Sequence, residues 1–109
     1  MTYPKIGQTI PADTKTFSIV YNIPVVPSVG KISIYQVTDN GDILREEISG
    51  QSEYVSVNNN TVFIQVLDST FNQPNTKYYV IVNSNFVKSE KFDEALAGIK
   101  KNLWYFNTG

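Results

Sequence analysis

The 109-residue chain contains no cysteine and no histidine. The first absence excludes disulfides and thiolate metal sites. The second removes the commonest general base, metal ligand and pH switch together. Charge of one sign is also scarce: nine basic and ten acidic residues leave a net charge of −1. No basic run exceeds Lys100–Lys101, so no electrostatic footprint for nucleic acid or an anionic membrane is expected. No apolar run approaches the roughly 20 residues of a spanning helix, and membrane insertion is not expected. The opening "MTYPKIGQTI" lacks the basic start and apolar core of a signal peptide.

Aromatics are plentiful: six Phe, seven Tyr and one Trp within a 41% hydrophobic chain. That composition excludes a disordered tail, and the length matches one domain over residues 1–109 with one core.

The apolar residues recur in strand periods. "TFSIVYNI" alternates Phe17, Ile19, Tyr21 and Ile23, then meets Pro24 and Pro27, expected to end any ladder. "GKISIYQV" (30–37) and "DILREEIS" flank Asn40-Gly41, a strong two-residue hairpin signal because both turn positions need positive φ. "EYVSV" (53–57) and "TVFIQVL" (61–67) form a second hairpin around "NNN". "KYYVIVN" (77–83) alternates Tyr78, Val80 and Val82 against Tyr79 and Ile81, and "NLWYFNT" is the last strand, with Trp104 and Phe106 inward. In "KFDEALAGI" (91–99), Asp93 as a cap, good helix formers and Gly98 predict a helical turn or two before that strand. Seven or eight short strands at such spacing predict an all-β, antiparallel sandwich. A final strand pairing inside a sheet explains a chain ending on Trp104 and Phe106. It also predicts a domain excised from a larger protein.

Six pieces in order, "PAD" (11–13), "VYNIPV" (20–25), "GKISI" (30–34), "NTVFIQV" (60–66), "NTKYYVIV" (75–82) and "WYFNT" (104–108), resemble the SbsA-type bacterial Ig-like domain. The resemblance covers essentially the whole chain. It implies an Ig-like β-sandwich, a secreted or cell-surface multidomain parent of the S-layer kind, and neighbouring domains of that parent as partners. The family's acidic "D-x-x-G-N" motif before the last strand is replaced here by "FDEALAGI".

Candidate residues follow. Tyr78 stands where an Ig-like tyrosine corner would bond its hydroxyl to upstream backbone, and with Trp104 and Phe106 it is expected in the core. If the third, sixth and seventh strands share a sheet, Tyr35, Tyr79 and Tyr105 point outward together. Such a flat patch suits a protein partner or a cell-wall glycan, although cross-strand aromatic pairs also stabilise a sheet with no ligand. No cofactor is implied. Calcium, which needs about six to eight oxygens, has weak candidates in Asp93 and Glu94, while Asp39 and Asp42 bracket a turn. "NNT" makes Asn59 a candidate glycosylation site. With no histidine, a nucleophilic serine or threonine would need lysine as its base, and no such pair stands out. The expectation is a non-catalytic structural or spacer module. The alternatives are a binding module using the tyrosine face, and an accessory domain of a polysaccharide-degrading enzyme.

Overall fold

A computed structural model describes residues 1–67, 69–71 and 73–109. Alternation builds its core. In β3 (Thr16–Val20) Phe17 and Ile19 are buried while Ser18 points away, and in β8 (Thr61–Gln65) Val62 and Ile64 are buried between outward Phe63 and Gln65. The same period buries Ile32 and Ile34 of β5 (Lys31–Gln36), Tyr78, Val80 and Val82 of β9 (Lys77–Val82), and Trp104 and Phe106 of β11 (Ile99–Thr108). Phe17 meets Trp104 at 5.8 Å and Phe106, edge-on, at 5.2 Å. Those contacts join two sheets. One has the order β1 (Thr2–Tyr3), β3, β8, β7 (Val55–Asn58); the other runs β2 (Thr9–Ile10), β11, β9, β5, β6 (Ile43–Ser49). The chain is all-β, with no helix among the described residues, and the facing sheets are consistent with a β-sandwich.

The first ten residues belong to both sheets. Thr2–Tyr3 pair antiparallel with β3, whereas Thr9–Ile10 pair parallel with the end of β11. Between them the Pro4 carbonyl accepts a hydrogen bond from Trp104 Nε1 at 2.9 Å. The lone tryptophan therefore has its polar edge satisfied within the core, as a buried indole requires.

Four sequence expectations are corrected. No helical turn precedes β11. Residues 94–96 run alongside β10 (Val87–Ser89) instead: Ser89 N donates to Glu94 O at 2.8 Å and Leu96 N to Val87 O at 3.1 Å. Asp93, at φ +55, makes the turn between them. Gly98 is no helix cap, since a Cβ there would fall 1.9 Å from the Val82 carbonyl oxygen, so only glycine lets the two backbones approach. Pro27 does not end the pairing either. β4 (Val25–Pro27) and β10 form a separate two-stranded ribbon, where a proline is tolerated on an edge. The β5–β6 hairpin is present, but its connection spans residues 37–42 and only Gly41, at φ +118, is left-handed. Gly41 N donates to Thr38 O at 3.3 Å, placing Asn40 inside a wider turn. With β1, β2, β4 and β10, eleven strands occur among the described residues, against seven or eight expected.

Candidate functional site

Three adjacent strands bring the tyrosines together. Tyr35 of β5 pairs with Tyr79 of β9, which pairs with Tyr105 of β11. Their neighbours in sequence face the core, so period two sends all three to the outer face.

The row is not a flat patch. Adjacent strands lie about 4.8 Å apart. The Tyr35 and Tyr79 rings lie 5.1 Å apart with planes only 16° from parallel. Rings stacked across the strands stand on edge and show solvent their rims. Two of the rings also have a cation over them: Lys101 Nζ lies 5.4 Å from the Tyr79 centroid and Lys77 Nζ 5.0 Å from that of Tyr105.

Tyr79 is only 6% exposed, and its hydroxyl donates to Asp42 Oδ2 at 2.7 Å. Lys101 Nζ lies 3.5 Å from the same oxygen. Burial, then the Asp42 hydrogen bond and charge, then Tyr35, push the phenol up to about 12. An irregularity in β11 sets this up. Ile99 pairs with Val82 and Trp104 with Val80, so residues 100–103 bow out opposite Ile81, with Asn102 at φ +74. The bow carries Lys101 onto the tyrosine row. An open depression of about 530 Å³ remains between Asp42, Lys77, Lys101, Asn102 and Tyr105.

Tyr78, Trp104 and Phe106 are buried in the aromatic core, with Tyr78 stacked on Phe106 at 5.8 Å and edge-on to Phe71 at 4.9 Å. The expected corner bond is not closed. Burial raises the Tyr78 pKa, and the upstream Gln73 backbone and the Arg45 charge offset part of that rise. No hydrogen bond of ordinary geometry reaches its hydroxyl.

Sequence reasoning passed over Arg45 and Glu46. Ile34 pairs with Glu46 but Tyr35 with Leu44, leaving Arg45 as the extra residue of a bulge. Consecutive strand residues ordinarily point to opposite faces. Here both grip one connection: Arg45 donates to Ser69 O at 2.7 Å and Thr70 O at 3.2 Å, while Glu46 Oε1 accepts from Leu67 N at 2.8 Å and Thr70 Oγ1 at 3.0 Å. Glu46 is 5% exposed and its Oε2 has no partner. Burial raises its pKa, against the lowering effect of the Leu67 and Thr70 bonds. A charged residue at a strand's inward parity was the available signal.

The remaining candidates are scattered. Asp93 is well exposed and ion-paired with Lys88 at 2.6 Å, and Glu94 is exposed with its carbonyl held by Ser89. Asp39 is exposed in the β5–β6 connection. No group of three or more potential metal-ligating side chains gathers among the described residues. Asn59, exposed at φ +59, heads the β7–β8 turn, and its carbonyl accepts from Val25 N at 2.9 Å. In comparisons with known proteins, no family model, curated protein or solved structure matches the chain.

Proposed function

We propose that the chain is an Ig-like module serving as a structural spacer in a secreted or cell-surface multidomain protein, without catalytic activity of its own. The strand orders support the Ig-like part. Order β1-β3-β8-β7, and β11-β9-β5-β6 within the second sheet, are in keeping with strands A-B-E-D and G-F-C of that fold, with β6 beside C as in the variable type. β4 and β10 then come from the B–C and F–G connections.

One observation carries the spacer part. The tyrosine row is engaged by its own neighbours: Tyr35 on Tyr79, lysines over Tyr79 and Tyr105, and the Tyr79 hydroxyl on Asp42. Side chains engaged in this way stabilise a sheet face with no ligand present. The shape agrees, since the molecule measures 42 × 23 × 23 Å, a short rod suited to holding neighbours apart.

The test is an NMR titration of the domain with soluble cell-wall polysaccharides and with the flanking domains of its parent. Amides of residues 35, 79 and 105 should stay in place with the polysaccharides. Localised, saturable shifts there would restore the tyrosine face as a binding surface and displace the spacer reading.

A further inference from the structure

The opposite face of the molecule differs in kind. Across the four-stranded sheet, Tyr3, Ser18, Phe63 and Ser56 lie side by side in register on β1, β3, β8 and β7. Tyr3 is 41% and Phe63 39% exposed, with β8 an interior strand of the sheet. Among the described residues neither ring has an aromatic or cationic partner of the kind that engages Tyr35, Tyr79 and Tyr105. Two strand spacings, about 10 Å, separate their strands, with the short Ser18 between. The next row holds Thr16 opposite Gln65. Among the described residues the side chains of Thr16, Ser18, Ser56 and Gln65 have no hydrogen-bond partner, and the two rows themselves carry no charge. A depression of about 380 Å³ opens here, lined by Thr16, Tyr54, Ser56, Phe63 and Gln65, with Lys15 and Glu53 also along it.

We propose that this face binds a neutral β-linked glucan, Phe63 stacking on a pyranose ring while Thr16, Ser56 and Gln65 hydrogen-bond its hydroxyls. An all-equatorial pyranose presents axial C–H groups on both faces, an apolar plate that matches an exposed ring. Its rim of hydroxyls needs partners that both donate and accept, as serine, threonine and glutamine do. The rows are uncharged, and Lys15 and Glu53 along the depression are of opposite sign, so the face matches a ligand without net charge. This assignment goes beyond the spacer reading and uses none of the residues on which that reading rests.

The experiment is an NMR titration of the domain with laminarihexaose and with cellohexaose, repeated on Phe63→Ala and Ser56→Glu. Saturable shifts confined to the amides of residues 16, 18, 56, 63 and 65 are expected with at least one hexasaccharide. Affinity should fall about tenfold or more in Phe63→Ala. Ser56→Glu keeps the ring but fills the depression, and should weaken binding in a domain whose thermal midpoint is unchanged. Tyr35→Ser, on the far face, should bind normally. No shifts with either sugar, or shifts that survive both substitutions, would overturn the assignment. So would concentration-dependent self-association that Phe63→Ala abolishes, since that would make the face a contact between copies.

Discussion

Two adjacent tyrosines show how much a single position decides. Tyr78 and Tyr79 share a strand, a chemistry and near-complete burial, yet one hydroxyl is unpartnered and the other is held by a carboxylate. A buried hydroxyl without a partner forfeits its solvation and gains nothing in return. Tyr78→Phe should therefore leave stability unchanged or raise it by up to about 1 kcal/mol, where a closed corner bond would make the same change cost about as much. Tyr79→Phe removes a bond to a charged acceptor and should cost about 1.5 kcal/mol or more. Paired urea denaturation curves measure both. Equal losses in the two variants would mean that the Tyr78 hydroxyl is bonded in solution.

At the scale of elements, the alternation of β3, β5, β8, β9 and β11 was legible because each strand buries one face and the pattern Phe17-x-Ile19 or Trp104-x-Phe106 states which. What misled was local propensity. Glu94-Ala95-Leu96-Ala97 are good helix formers, but β10 offers unpaired backbone groups, and tertiary pairing outweighs a few tenths of a kcal/mol per residue. The tyrosine row followed from alternation, which sets the face of each ring, together with the Ig-like strand order that the resemblance implies. Its closure did not, because it depends on the bow at residues 100–103 and on ring orientation, and neither has a period. Glu46 was hidden for a like reason, since its acceptor duties lie on a connection more than 20 residues away. Gly98 is the sharpest test at this scale. Gly98→Ala drives a methyl into the Val82 carbonyl oxygen, which is backbone and cannot rotate aside. A loss of about 2–4 kcal/mol is expected by thermal or chemical denaturation, whereas helix C-cap chemistry would predict about 1 kcal/mol.

For the whole molecule, these buried groups set the pH range of stability. Glu46 has a raised pKa in the fold, so the unfolded chain gives up this proton first. Its contribution is full below the ordinary value of 4.5 and is lost as pH rises from there through the folded value. Tyr79 and Tyr21, each pushed up to about 12 from 10.0 by burial, repeat this at the alkaline end: stability holds below pH 10 and falls between 10 and 12. Glu46→Gln, which keeps an oxygen for Leu67 and Thr70 without the ionisation, should remove the acid-side decline and leave the alkaline one. Denaturant midpoints of both proteins across pH 4 to 12 give the answer. A decline setting in above pH 4.5 that persists in Glu46→Gln would assign it to another carboxylate.

The parallel seam between β2 and β11 has a mechanical consequence. Gly7 N bonds Tyr105 O at 2.8 Å, Asn107 N bonds Gln8 O at 2.9 Å and Gly109 N bonds Ile10 O at 2.9 Å, all beside the last residues of the chain. Tension between the two termini would draw these strands along one another in opposite directions. Bonds in that geometry are sheared together and share the load, whereas a hairpin pulled at its open end parts one bond at a time. The first ten residues would thus act as a brace across the seam, with Trp104 bolted to Pro4 behind it. Their removal would leave the molecule to yield strand by strand.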